Sequence, residues 1–390
     1  MSDRQEPAAL SAFRVRARAW LEAHRPPEIA AEADPIAREA ADVAASRAWQ
    51  RSLYEGGWAG RSWPVELGGA GLGPAEEMVF ATEAARVAIR FAPLDVGIGM
   101  VAPTLIAHGS RKLQRLHLPA LLRGETIWCQ LFSEPGAGSD LAGLTTGAVP
   151  TASGWIVNGH KVWTSHARHA DYGILLARTD AATRRHQGIS VLVVDMRAPG
   201  ITVRPLRQMT GEAHFNEVLF DDVAVGAESV IGPVGDGWRV ARTTLASERG
   251  LVGPVAGGFA ALRQLVLSVN RHHDPVVRQR AATAYTDESL LRWLGARAQA
   301  RVERGLEPGP ESSVMKLLLA RHTKRTTEFA LSLTGAEGML AAADATDGGF
   351  WLQAFLSHPA IRIAGGSDEI QRSLIGERGL GLPREPQAGR

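Results

Sequence analysis

Two stretches of this 390-residue chain carry residue types that could do chemistry. The first is a helical stripe. Trp238, Ala241, Leu245, Val252, Val255, Phe259, Leu262 and Val266 recur at spacings of three and four, except for one gap of seven, and Glu248 fills that gap. A carboxylate on an apolar stripe is costly to ionise, because desolvation disfavours the charge. The same shift moves a carboxyl towards the proton affinity that a general base needs. The plain alternative is a Glu at a helix bend, solvated or paired with Arg249. Gly250, Gly253 and Pro254 mark such a bend.

The second stretch is a turn of small residues, Gly136-Ala137-Gly138-Ser139-Asp140. Small residues let backbone N–H groups close on a phosphate with no Cβ in the way. The apolar run Ile127 to Phe132 before it has the content of a buried strand, and Pro135 ends it. A dinucleotide fingerprint starting at Gly136 requires a third glycine at 141, which is Leu141, so that reading fails. A tight turn without a ligand is the alternative. Downstream, Gly154 to Trp163 reads as a hairpin turning at Asn158-Gly159. The small-residue turn therefore sits in an all-β segment.

These stretches need elements to position them. Residues 11–24, 36–56, 75–88, 95–108 and 110–122 read as helices, with Arg25-Pro26-Pro27 and Gly56-Gly57 as stops. From Thr126 to about Gly232 the pattern becomes short β-rich runs, including Ile174–Ala177, Ile189–Val194, Ile201–Val203 and Glu217–Phe220. Asp221-Asp222, Gly232-Pro233 and Gly235-Asp236-Gly237 read as the exit from it. Helical periodicity returns from Trp238, with starts or breaks at Asp274-Pro275, Pro308-Gly309-Pro310 and Asp347-Gly348-Gly349. The expected fold is multi-domain α+β: a helical domain over 1–125, a β-sandwich or barrel over 126–232, and a helical bundle over 233–390.

Composition bounds the setting. Apolar content is 45%, charged content 22% and formal charge +2, with no block of five like charges, so no electrostatic footprint points to nucleic acid or a membrane surface. No apolar run has transmembrane length, and the first residues lack a signal-peptide core. The single cysteine, Cys129, excludes an internal disulfide, fits a cytoplasmic setting, and falls in the predicted buried strand as inert core. His160, His166 and His169 have no carboxylate or Cys nearby in metal spacing, so no metal site is expected.

Several blocks in order resemble the acyl-CoA dehydrogenase family. They are Trp63-Pro64-x-Glu66-x-Gly68-Gly69, Gly109-x4-Gln114-x3-Leu118-Pro119-x4-Gly124-Glu125, Ser133-Glu134-Pro135-Gly136-Ala137-Gly138-Ser139-Asp140, Asn158-Gly159-x-Lys161-x-Trp163, Phe220-Asp221-Asp222-Val223 and Ile370-Gln371-Arg372. The resemblance runs from about residue 50 to the C-terminus. It implies FAD set between a β-domain and helices, an acyl-CoA substrate, α,β-dehydrogenation to a 2-enoyl-CoA, and an electron-transfer flavoprotein as acceptor.

By the same resemblance, Phe132 and Ser133 line the isoalloxazine, and Gly138 and Ser139 face the pyrophosphate or substrate. Trp163 covers the ring and Ser165 donates near the reactive flavin nitrogen. Ser367, Asp368 and Glu369 form the C-terminal flavin segment; Ser367 or Asp368 also reads as a helix N-cap. Many members carry the catalytic Glu a few residues before Ile-Gln-Arg, where this chain has Gly365. A minority branch, similar to isovaleryl-CoA dehydrogenase, carries it on the earlier helix just before an Arg. Glu248-Arg249 fits that branch and makes Glu248 the base, with Arg249 and Ser139 on the substrate.

Two further departures stand out. Asn270 to Pro275 lacks the Arg-x-x-Phe-Gly element that reaches a neighbouring subunit's cofactor, and Leu331-Ser332-Leu333-Thr334-Gly335 lacks the usual Gln. They point to a homo- or hetero-oligomer, in the latter case resembling actinobacterial members acting on bulky acyl-CoA. The rival readings are a non-catalytic partner subunit and a flavin monooxygenase on the same fold.

Overall fold

The computed structural model describes residues 7–27, 34–87, 92–183, 185–250, 258–304, 306, 309–340, 345 and 347–384; the side chains of 35, 92, 248–250, 299, 302 and 303 fall outside that description. The chain forms two compact units, Met1–Leu251 and Val252–Arg390.

The first unit opens with helices α1 (Ala8–Ala23), α2 (Pro35–Glu55), α3 (Pro74–Arg86), α4 (Ala92–Val96), α5 (Ala102–His108) and α6 (Arg111–Leu122). Phe13, Ala17 and Leu21 give α1 its buried stripe, packed with Trp49, Leu53, Val79 and Phe80. Asp34 caps α2 by accepting from the Ile36 and Ala37 amides, and Ser110 caps α6 through the Leu113 amide. The helix expected over 95–108 is interrupted by a π turn, Gly97–Val101. Gly97 is needed there because a Cβ would come within 2.7 Å of the Leu121 side chain.

The strands are β1 (Trp128–Leu131), β2 (Gly147–Thr151), β3 (Gly154–Ser165), β4 (Tyr172–Arg178), β5 (Ile189–Asp195), β6 (Ile201–Leu206), β7 (Phe215–Gly226) and β8 (Val230–Ile231). They form one eight-stranded sheet in the order β6-β7-β3-β2-β4-β5-β8, with β1 parallel to β4. Its central strands are buried on both faces. In β4 and β5, Ile174, Leu176, Val191 and Val193 join one core, while Leu175, Ala177, Leu192 and Val194 join the other. Alternation by two with apolar residues on both faces is what makes these runs continuously hydrophobic.

Two readings of this region are corrected. Strand β3 runs straight through Asn158-Gly159; the reversal lies at residues 152–153, between β2 and β3. Asp221-Asp222 likewise lies inside β7 rather than at its end. The two pairs face each other across a bulge, where the register shifts between Val157 and Gly159. Asn158 donates to Asp222 Oδ1 at 2.8 Å and accepts from the Asp222 amide at 2.9 Å, with Asp222 left-handed at φ 50°. Gly159 serves close approach, because a Cβ there would overlap Thr146.

Helix α7 (Gly237–Gly250) completes this unit, packed against α5, the π turn and β5. Val240 and Ala241 are wholly buried in the helix-facing core of the sheet. The second unit holds α8 (Phe259–Ser268), α9 (Pro275–Glu303), α10 (Glu311–Thr334), α11 (Phe350–Ile363) and α12 (Asp368–Leu374). Its core gathers Leu262, Val266, Val277, Ala284, Phe329, Ala330 and Trp351. Among the described residues, no helix is long and apolar enough to cross a membrane.

Candidate active site

The site grows from the end of β1. The chain leaves the sheet at Phe132 and folds into a tight turn closed by reciprocal Glu134–Ala137 backbone hydrogen bonds. Strand β3 lies alongside, and the Val162 amide donates to the Ser133 carbonyl at 2.9 Å. This single bond brings together the Phe132-Ser133 and Trp163–Ser165 segments, which are 30 residues apart in sequence.

A buried ion pair fixes that join. Lys161 Nζ donates to Glu134 Oε1 at 2.8 Å and to the Phe132 carbonyl at 2.9 Å. Glu134 also accepts from the Thr145 amide and hydroxyl and from the Thr146 amide, at 2.7–2.9 Å. Burial works against the Glu134 charge, but Lys161 and the Thr145–Thr146 donors outweigh it and hold the carboxyl at about 2. Burial draws Lys161 down to about 8 against the pull of Glu134.

The hydroxyls of Ser133, Ser139 and Ser165 bond to no described residue, although Ser133 and Ser165 are half-buried. Among the described residues, none accepts from the amides of Gly138, Ser139 or Asp140. The space beside Gly136 and Gly138 is open. Trp163 is 60% exposed, touching Phe215 edge-on at 5.9 Å. Its backbone is left-handed at φ 60°, which costs roughly 1–3 kcal/mol for such a residue. A bulky aromatic held open to solvent in a strained conformation, beside uncommitted hydroxyls and amides, fits a flat aromatic ring carrying phosphates. Phe132 is different: it is 3% exposed and packs in the core, so the site receives its backbone more than its ring.

Glu248 and Arg249 fall within α7, and their side chains lie outside the described residues. Val252 and Val255 of the stripe lie outside them as well. What the structure gives is the mounting of α7. Thr104 Oγ1 on α5 meets Thr244 Oγ1 at 2.9 Å in a fully buried contact. One turn on, Arg239 donates to His108 Nδ1 at 3.2 Å, so the ring's Nε2–H faces Thr243 Oγ1 at 2.7 Å. Burial, with Arg239 adding to it, keeps His108 below its ordinary value.

In the second unit, Ser367 caps α12 through the Ile370 amide. Asp368 is buried between Arg362 Nε at 2.8 Å and Lys316 Nζ at 3.3 Å, and these cations overcome burial to hold its carboxyl low. Glu369 is exposed. Gly365 and Gly366 are both left-handed, at φ 65° and 91°, and both carbonyls accept from Gln371 Nε2.

Sequence reasoning missed the partners that hold the site. Lys161 and Glu134 lay inside quoted motifs without a role; a Lys among alternating strand residues was the available signal. The histidines gain a carboxylate that spacing could not reveal: Glu39 on α2 accepts from His166 Nδ1 at 2.9 Å and from Arg168, with His169 Nε2 3.5 Å away, while His160 pairs with Glu217. Cys129 is buried, and its thiol is pushed far up by desolvation.

Three family models match in succession: the acyl-CoA dehydrogenase N-terminal domain over residues 8–125, the middle domain over 129–223, and the C-terminal domain over 235–380. The chain is 39% identical over 383 residues to acyl-CoA dehydrogenase IpdE1 of Mycobacterium tuberculosis, covering 96% of this chain and 98% of that one. It is 38% identical to IpdE1 of Mycolicibacterium smegmatis over 390 residues, with the same coverage. Among solved structures, the Tcur3481-Tcur3483 steroid ACAD superposes with a TM-score of 0.82 at 28% identity, covering 98% of this chain and all of that one. The ChsE4-ChsE5 complex of M. tuberculosis gives 0.81 at 26% identity, with the same coverage. The chain belongs to the acyl-CoA dehydrogenase family and is an oxidoreductase of that kind.

Proposed function

We propose that this protein is an FAD-dependent acyl-CoA dehydrogenase that converts an acyl-CoA thioester to its 2-enoyl-CoA. The observation that carries the reading is the exposed, left-handed Trp163 beside the hydroxyls of Ser133 and Ser165, which bond to no described residue. Trp163 covers one face of the ring and excludes water, and the two serines orient the ring edge. The amides of Gly138, Ser139 and Asp140 serve phosphates, and Ser139 and Arg249 serve the substrate. The resemblance assigns the segment Ser367-Asp368-Glu369 to the flavin as well. Bound FAD supplies the acceptor for the β-hydride, and an electron-transfer flavoprotein takes the electrons onward.

Glu248 takes the α-proton. Ala241 and Thr244, on the same helix, are buried. Gly365 cannot hold a proton, so the role falls to α7 within this chain. A bulky acyl group is the favoured substrate and a hetero-oligomer the favoured assembly. Both are supported by neighbours described as a steroid ACAD and as a ChsE4-ChsE5 complex. A cytoplasmic setting accords with the lone, buried Cys129.

The test is anaerobic titration of the FAD-loaded protein with straight-chain, branched and steroid-derived acyl-CoA thioesters. Bleaching of the flavin band with formation of the enoyl-CoA is expected, most strongly for the bulky substrates. If FAD binds but no thioester bleaches it, the second reading holds: a non-catalytic partner subunit, which Gly365 favours.

A further inference from the structure

The strand end that carries Trp163 and Ser165 is bent by two left-handed residues other than glycine, Trp163 at φ 60° and His166 at φ 56°. Such a backbone persists only where its surroundings over-determine it. Two groups do so. From β7, the wholly buried Asn216 donates to the carbonyls of Thr164 at 3.1 Å and His214 at 3.0 Å, while the His166 amide donates to the His214 carbonyl at 2.7 Å. From α2, Glu39 accepts from two groups of the turn that follows Ser165, His166 Nδ1 and Arg168 Nη2, and His169 Nε2 lies 3.5 Å away. Glu39 is 6% exposed and 127 residues upstream of His166. Burial opposes its charge, but these hydrogen bonds win and hold the carboxyl well below its ordinary range.

We propose that Glu39 is a positioning residue for the flavin face: it acts through His166 to hold Trp163 and Ser165 in the conformation that receives the ring. The inference rests on the flavin reading above. The bonding pattern makes the charge essential rather than the bulk. Two donors converge on the carboxylate, one on each oxygen, and an amide in its place would turn N–H towards N–H. A second buried acid shows the contrast. Glu83 on α3 collects Arg14, Arg18 and Arg86, all from helices, and holds no part of the sheet.

The experiment labels the full-length protein with 5-fluorotryptophan. The Trp163 resonance is assigned by its loss in Trp163→Phe. Wild type, Glu39→Gln and Glu83→Gln are then compared without cofactor by 19F NMR, and their FAD affinities and melting temperatures are measured. In Glu39→Gln the Trp163 resonance should shift or split, and the Kd for FAD should rise at least tenfold. Glu83→Gln should lower the melting temperature and change neither. A folded Glu39→Gln with an unmoved Trp163 resonance and an FAD Kd within twofold of wild type overturns the proposal. If Glu39→Gln does not fold, His166→Gly serves, because glycine accepts the left-handed backbone while losing the bond to Glu39. The same resonance shift supports the proposal, and an unmoved resonance overturns it. Should wild type fail to bind FAD while the Trp163 resonance still moves in Glu39→Gln, the flavin reading fails and the positioning of the strand end stands.

Discussion

Lys161 Nζ lies 2.8 Å from Glu134 Oε1, with both side chains shut away from solvent. Neither side chain reaches solvent, so each is the other's counter-charge. The pair also ties the strand after the Ala152-Ser153 reversal to the turn that carries Ser133 and Ser139.

Removing one partner should therefore be worse than removing both. Lys161→Met strands a buried carboxylate and should destabilise the fold by about 3–5 kcal/mol. The double variant Glu134→Gln/Lys161→Met should recover a good part of that loss in urea unfolding. A double variant as unstable as the single one would show that the surrounding donors, not the ion pair, set the cost.

The same pair makes an acid-stability prediction. The folded carboxyl of Glu134 sits at about 2, below its unfolded value of roughly 4.3. Its stabilisation is thus complete above the unfolded value and is lost as pH falls from about 4.3 through 2. Stability measured across that window should fall less steeply in the double variant than in wild type.

The unbonded serine hydroxyls separate binding from folding. Ser133→Ala and Ser165→Ala should leave the melting temperature of the cofactor-free protein within a degree or two, because no hydrogen bond to a described residue is lost. Each should weaken FAD binding by about 0.5–1.5 kcal/mol, several-fold in Kd by isothermal titration. A large loss of melting temperature without any change in Kd would place these hydroxyls in the fold and not on a ligand.

Helix α7 offers a test of the base and of its mounting. Glu248→Gln should keep FAD bound and lower turnover by roughly 10²–10⁴-fold, the usual worth of general-base transfer. Thr104→Val and Thr244→Val should show a coupling of about 0.5–1.5 kcal/mol in a double-mutant cycle for stability. Turnover should drop in the Thr244→Val variant with its FAD affinity unchanged, as stopped-flow reduction would report.

Much of this site could be read from residues in order. The small-residue turn and the Ser367 cap are local features, and local chemistry leaves local marks; the exposure of Trp163, in a strand where a tryptophan is ordinarily core, is not. Asn158-Gly159 shows where such marks mislead. The dipeptide has turn chemistry, yet Asn158 spends its side chain on Asp222 of the neighbouring strand, and the pair lies within a bulge. Pairing across 64 residues is invisible to a window of ten. Glu39 was hidden for the same reason. It sits on an ordinary helix, and only the folded chain brings it to His166, Arg168 and His169. The two-sided burial of β4 and β5 was legible as unbroken apolar runs, but which face met which core depended on strand order.

The Gly365-Gly366 corner has a consequence for how this lineage can change. Both residues occupy a backbone region that L-side chains rarely adopt, and a methyl at 366 would press within 2.8 Å of Gln371 Nε2. An acid placed at 365 would arrive on a main chain shaped against it. A side chain at that corner therefore needs the corner itself to be rebuilt.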